Sequence, residues 1–260
     1  MATILDKIVA TKRREVEEAK ATIPLESLYE ELKYSPAPRD FLAALTQDPP
    51  IRLIAEVKKA SPSAGVIRAD FDPVAIAKIY EWHGASCISV LTDHPYFQGS
   101  LDYLRQIRAA VNLPLLRKDF VIDRYQVVEA RAAGADAVLL IAECLDDREL
   151  GDLHEAVLEL GMTPLVELYE PANLCRVLDA GVQLIGINNR DLRTFQVDLG
   201  HCMRLRRDIP AGRTVVAESG IKSRKEVEEL QAAGLHAMLI GETLMAQPDI
   251  GRAVDGLLTA

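Results

Sequence analysis

The chain has 260 residues, of which 49% are hydrophobic and 27% charged, and carries a net charge of −9. These proportions belong to a folded globular protein and exclude a disordered chain, a collagen and a coiled-coil rod. The acidic balance argues against nucleic acid or an anionic membrane as partner, and no apolar run approaches the roughly 20 residues that span a bilayer.

In chain order, residues 1–48 read as helices over 4–21 and 26–32, a Pro-rich kink at Ser35-Pro36-Ala37-Pro38 and a third segment over 40–45. This extension could plug the bottom of the following domain or cover its mouth, and the sequence leaves both open. Short apolar runs follow at 51–57, 87–91, 114–116, 137–141, 164–166, 184–187, 214–217 and 237–240, each of strand length. Amphipathic stretches lie between them at 73–83, 101–110, 124–133, 147–160, 172–180, 199–207 and 224–233. Gly84, Gly134, Gly181 and Gly234 each close a helix just before a strand. Strand alternating with helix means βαβ units and a parallel sheet. The eight runs predict an α/β fold, a single (β/α)8 TIM barrel over 49–260 with a helical extension over 1–48, one structural domain overall. An open doubly wound sheet is the runner-up, but its Gly-rich fingerprint is missing after the first strand.

Polar residues at the C-terminal ends of barrel strands face the mouth, where the chemistry of such barrels occurs. The first strand ends Ala55-Glu56-Val57-Lys58, so Glu56 and Lys58 share one face. In Leu116-Arg117-Lys118 alternation puts Lys118 on the face of Leu116 and Arg117 on the other. The fifth strand ends in Glu167, the sixth leads to Asn188-Asn189-Arg190-Asp191-Leu192, the seventh to Glu218-Ser219-Gly220-Ile221 and the eighth to Gly241-Glu242-Thr243. Two lysines and three glutamates converging on one mouth suit proton transfer. A lysine beside another cation would have a lowered pKa, and a shielded glutamate a raised one. The alternative is a structural salt-bridge network. Gly-containing turns after the last two strands suit a phosphate, with Ser61 and Gly65 as further donors.

The chain contains no HExxH, P-loop or GxSxG, and no spacing brings two of its five histidines together, so no metal site is expected. The histidines read as surface or helix-end residues, and Trp82 as core. Four cysteines without a CxxC, and an N-terminus without a leader pattern, suggest reduced thiols in the cytoplasm.

These strand ends resemble those of the indole-3-glycerol phosphate synthase family. The matching stretches are Ala55-Glu56-Val57-Lys58-Lys59-Ala60-Ser61-Pro62-Ser63, Ser89-Val90-Leu91-Thr92 with Tyr96-Phe97-Gln98-Gly99-Ser100, Leu116-Arg117-Lys118-Asp119-Phe120, Pro164-Leu165-Val166-Glu167, Ile185-Gly186-Ile187-Asn188-Asn189-Arg190-Asp191-Leu192, Ala217-Glu218-Ser219-Gly220-Ile221 and Ile240-Gly241-Glu242-Thr243-Leu244-Met245. They run in family order over nearly the whole chain. The resemblance implies a carbon–carbon lyase of tryptophan biosynthesis. It would close, decarboxylate and dehydrate 1-(2-carboxyphenylamino)-1-deoxy-D-ribulose 5-phosphate without a cofactor. Lys118 is then similar to the general acid, and Glu167 to a second acid/base aided by Asn188. Lys58 would anchor a carboxylate, while Glu56 and Glu218 hold the lysines charged. Ser219 joins this set and, with Gly220, Gly241 and Glu242, would meet the phosphate, with Ser61 nearby. Phe97, Phe120, Leu192 and Ile240 resemble the residues that wall the aromatic ring, and Arg190 would meet an anionic end. The expected partner is the phosphosugar substrate, with no nucleic acid, no membrane, and a monomer favoured over an oligomer. The rivals are another phosphosugar barrel such as phosphoribosylanthranilate isomerase, and an idle phosphosugar-binding barrel.

Overall fold

A computed structural model of the chain describes residues 3–46, 50–191 and 193–259. Eight parallel strands close on themselves: β1 (Arg52–Val57), β2 (Cys87–Leu91), β3 (Leu115–Lys118), β4 (Ala137–Ile141), β5 (Thr163–Leu168), β6 (Leu184–Asn188), β7 (Thr214–Glu218) and β8 (Ala237–Ile240). Each pairs with the next in sequence, and β8 pairs with β1 from Arg52↔Ala237 to Ala55↔Ile240. The fold is therefore the expected TIM barrel. Four strands run one or two residues past the apolar runs. Backbone pairing continues through Leu91↔Lys118, Ile141↔Glu167 and Asn188↔Glu218, so these polar groups sit on the sheet and not in mobile loops.

Three helices precede the barrel: α1 (Ile4–Thr22), α2 (Leu25–Leu32) and α3 (Phe41–Thr46). The expected boundary at 48/49 lies outside the described residues. Thr3 and Asp6 cap α1 reciprocally, each accepting the other's backbone amide. The extension serves both ends of the barrel. Phe41 and Leu45 of α3 join the inner cluster with Ile54, Cys87, Leu116 and Val216, closing the bottom. α1 runs to the opposite end, where Thr11 Oγ1 and Tyr96 Oη lie 2.9 Å apart.

The outer ring is α4 (Pro73–Trp82), α5 (His94–Phe97), α6 (Leu101–Ala110), α7 (Arg124–Ala132), α8 (Asp147–Glu159), α9 (Leu174–Asp179), α10 (Gly200–Leu205), α11 (Arg224–Ala232), α12 (Glu242–Met245) and α13 (Ile250–Leu258). The four expected helix-closing glycines all have positive φ, from 76° to 91°. The sequence reading lacked α5, α12 and α13. Ile250, Val254 and Leu257 are buried, so α13 did carry a helical stripe. Trp82 is a correction: it is 87% exposed. The buried stripe of α4 is Pro73, Ile76, Ala77 and Tyr80, and a residue two beyond Tyr80 turns away from it. His154, expected at the surface, is buried on α8.

Side chains alternate between two cores. Ile54, Leu116, Leu139, Leu165 and Leu239 point inward, whereas Leu53, Leu115, Val138, Val166 and Met238 pack under the helices. Phe41 is fully buried at the base of the inner core. Phe41→Ala should lower unfolding stability by about 3–5 kcal/mol, the usual result of emptying a core phenylalanine site. Urea unfolding followed by circular dichroism measures it, and a loss under about 1 kcal/mol would mean that the base is not sealed by this ring.

Candidate active site

Above the inner core the barrel opens into a cavity of about 780 Å³ at the C-terminal ends of the strands. Strand alternation aims Glu56, Lys118, Glu167, Asn188 and Glu218 into it, on the faces of Ile54, Leu116, Leu165, Leu184 and Val216. Its floor is charged. Lys118 Nζ lies 2.7 Å from Glu167 Oε2 and 3.2 Å from Glu218 Oε2. Asn188 Nδ2 donates to the other Glu167 oxygen at 2.9 Å, while its Oδ1 accepts the Arg190 amide at 2.9 Å. These two bonds fix the orientation of the Asn188 amide. Lys58 Nζ meets Glu56 Oε1 at 2.7 Å.

Two glycines make this crowding possible. A Cβ on Gly186 would collide with Glu218 Oε1, and one on Gly241 with Glu56 Oε1. Each glycine lies beside the strand that carries the carboxylate, so the carboxylate occupies space that a side chain would fill.

The environment sorts the charges. Burial disfavours the Lys118 ammonium, but Glu167, Glu218 and Glu56 outweigh it and raise its pKa. For Lys118 the expected lowering of a lysine pKa by a neighbouring cation is thus corrected, because this lysine faces carboxylates. Burial also opposes the Glu167 carboxylate, yet Lys118 and Asn188 bring its pKa below the ordinary value. Glu218 goes the other way. Burial, with Glu167 beside it, pushes it up to about 8 against the pull of Lys118. Its buried Oε1 accepts no hydrogen bond from the described residues. One lysine balances one carboxylate, and the second carboxyl keeps its proton near neutral pH.

One wall is aromatic and aliphatic. Phe97 on α5 and Phe120 after β3 face each other with ring centroids 6.2 Å apart. The sequence reading missed further apolar residues that line the cavity. They are Leu91, Leu139, Ile141 and Leu239 at the inward ends of strands, and Ile4, Leu5 and Ile8 from α1. Strand parity was the available signal for the first four. Ile240 borders the cavity but packs in the outer core, and its neighbour Leu239 is the inward residue. Leu192 lies outside the described residues.

The opposite side is built from turns. Ser219 and Gly220 both have positive φ, 68° and 82°, and a Cβ on Gly220 would strike Val197. Thr243 Oγ1 donates to Ile221 O at 2.7 Å and ties the turn after β7 to the one after β8. α12 opens at Glu242, with Gly241 as its cap, so its first amides lack intrahelical acceptors. Ser61 Oγ accepts the Ala64 amide at 3.2 Å and lies 3.3 Å from Ser63 Oγ. The Glu242 carboxylate, an odd neighbour for a phosphate, is turned toward Arg190, 3.3 Å from Nη2. Every described residue of the set that the resemblance implies therefore borders this one cavity, whereas Gly65, expected as a further donor, does not. Among the described residues no three His, Cys, Asp or Glu side chains are grouped to hold a metal ion.

A sequence profile described as indole-3-glycerol phosphate synthase matches residues 5–257. The indole-3-glycerol phosphate synthase of Rhodopirellula baltica is 57% identical over 258 residues, covering 99% of this chain and 100% of that one. The enzyme of the same name from Leptothrix cholodnii is 50% identical, with 99% of both chains covered. Among solved structures, a 3-hexulose-6-phosphate synthase superposes with a TM-score of 0.65 at 15% identity, covering 80% of this chain and 98% of that one; it speaks for the fold alone. Identity at this level over the full length of both chains shows that the chain belongs to the indole-3-glycerol phosphate synthase family.

Proposed function

We propose that the chain converts 1-(2-carboxyphenylamino)-1-deoxy-D-ribulose 5-phosphate to indole-3-glycerol phosphate, a carboxy-lyase step of tryptophan biosynthesis. In this reaction the ring carbon bearing the carboxylate attacks the ribulose carbonyl, carbon dioxide leaves, and loss of water completes the indole. The observation that carries the reading is the position of Lys118: between Glu167 and Glu218 on the cavity floor, with an aromatic wall on one side and Gly/Ser turns on the other. The substrate has matching parts, namely an oxygen to protonate, an aryl ring and a phosphate.

Lys118 acts as general acid. With its pKa raised, it releases a proton only to a strong base, and the alkoxide forming at the attacked carbonyl is one. Glu167, held ionised beside Asn188, serves in the dehydration half, where a proton must leave carbon as the hydroxyl departs. Lys58 anchors the aryl carboxylate, with Glu56 keeping it in place. Protonated Glu218 leaves the Lys118–Glu167 pair electrically balanced. Ser219, Gly220, Gly241 and Glu242 receive the phosphate, mostly through backbone amides, with the Ser61 hydroxyl nearby. Phe97 and Phe120, with Ile240 at the rim, enclose the ring, and Arg190 exchanges Glu242 for an anionic end of the substrate. The reading needs no cofactor. It takes the enzyme as a cytoplasmic monomer; among the described residues no helix is long and apolar enough to cross a membrane.

The deciding experiment is a continuous fluorescence assay of indole-3-glycerol phosphate formation by purified protein in EDTA. Turnover supports both the reaction and its independence of metal. Binding by calorimetry without turnover indicates an idle phosphosugar barrel, and the absence of both turnover and binding would mean a different ligand. Lys118→Ala should lower kcat by roughly 10²–10⁴-fold, and a loss under tenfold would remove Lys118 from the role of acid.

The Glu218 shift has a consequence for stability. Folding raises its pKa from 4.5 to about 8, so its proton-linked contribution is complete below about pH 4.5 and is lost as pH rises to about 8. Glu218→Gln lacks this dependence. The stability of the wild type minus that of Glu218→Gln should therefore fall steadily across this window in urea titrations. A difference that stays level would contradict the assignment.

A further inference from the structure

Lys12 lies in the third turn of α1 and is only 4% exposed, yet it does not border the cavity. Its ammonium meets Glu15 of its own helix at 2.7 Å, and Asp93 and Asp119 at 2.9 Å each. The two aspartates follow different strands, β2 and β3, and both are buried. A buried ion pair is by itself weak evidence for anything, because desolvation offsets the attraction. The informative point is what else each aspartate holds. Asp93 Oδ1 accepts the Tyr96 amide at 2.9 Å and so caps α5, the turn that carries Phe97. Asp119 Oδ1 accepts the Phe120 amide at 2.8 Å, directly after Lys118 in the chain. Its Oδ2 accepts from Thr92 Oγ1 at 2.5 Å and from Arg117 at 3.2 Å.

We propose that Lys12 is a positioning residue: by gripping Asp93 and Asp119 together it sets Phe97 and Phe120 relative to each other and to Lys118. The ring slot is then gauged by one charge supplied from the N-terminal helix. An ammonium suits the task, since its donors radiate from one point and can serve carboxylates on separate loops. The two sides of the grip are unequal. Arg117 still holds Asp119 when Lys12 is removed, whereas among the described residues Asp93 has no other ion-pair partner. The Phe97 turn should therefore loosen more than the Phe120 segment. The part played by the ring rests on the function proposed above, but the grip itself does not.

The test pairs amide hydrogen exchange with kinetics. Lys12→Met keeps the apolar stem and removes the charge, and Lys12→Arg restores it. In Lys12→Met the Tyr96 amide should exchange at least ~10-fold faster, the scale of one lost hydrogen bond to a charged group, with a smaller increase at Phe120 and none at Leu139 in β4. KM for the carboxyphenylamino substrate should rise by about the same factor, more than kcat falls, and Lys12→Arg should recover most of both. Unchanged exchange at Tyr96 and Phe120 would overturn the proposal. So would a uniform rise across the barrel with KM unaltered, which is the mark of a merely structural lysine. If Lys12→Met does not fold, Asp93→Asn retains a capping side chain and removes the partner charge. It should speed exchange at Tyr96 but not at Phe120, and no change at Tyr96 would equally overturn the idea. A wild type that exchanges normally but does not turn the substrate over refutes the functional reading alone, and the exchange arms still decide the role of Lys12.

Discussion

Three ionisable groups share the floor of this barrel, two of them almost wholly buried, and the rest of the site follows from how they are arranged. Lys118 lies between Glu167 and Glu218, all on strands whose backbones are paired on both sides. Burying one ion alone would be prohibitive, so the cluster survives only because a cation and a carboxylate are buried together and a second carboxyl can be neutral. That same requirement makes the site chemically useful. A proton held on Lys118 and another on Glu218 face a cavity that is apolar on one side and lined by polar turns on the other. The sheet supplies the rigidity, since a strand end paired to neighbours cannot swing as a loop residue can.

Much of this was legible in the chain because a barrel strand obeys period two. Glu56 with Lys58, and Lys118 with Leu116, could be assigned to the inner face from alternation alone, and the inner cluster agrees. The fold was legible for the same reason, eight apolar runs separated by helical stretches. What alternation could not supply was pairing across the barrel. Nothing local to Lys118 says that its partners are Glu167 and Glu218 in preference to Glu56, nor that Glu218 is the carboxyl that rises. Those depend on register between strands far apart in sequence. The runs also ended at the last apolar residue, whereas hydrogen bonding does not stop for a charge, so Lys118, Asn188 and Glu218 lie within strands.

The N-terminal extension was the least legible part, because both placements considered for it were half right. α3 fills the base with Phe41 and Leu45, and α1 reaches the mouth with Ile4, Leu5 and Ile8. An amphipathic helix records which of its faces is apolar and not which surface it will meet. Lys12 shows the limit sharply. In the sequence it is one more charge in Thr11-Lys12-Arg13-Arg14-Glu15, a run that reads as a solvated face, and only the positions of Asp93 and Asp119 turn it inward.

Gly186 and Gly241 bear on how such a chain can drift over evolutionary time. Neither needs its glycine for an unusual backbone angle, since neither has a positive φ. Each is small because a carboxylate from an adjacent strand stands where its Cβ would be. Positions 186 and 218, and likewise 241 and 56, are therefore not independent letters. A methyl group at either glycine becomes acceptable only after the facing glutamate has shortened or left, and the glutamate cannot leave while the lysine it faces is still at work. Each pair is a lock that opens only by a double substitution through an impaired intermediate. Neutral variation should accordingly run freely over the helices and stall at these two glycines, which do no chemistry themselves.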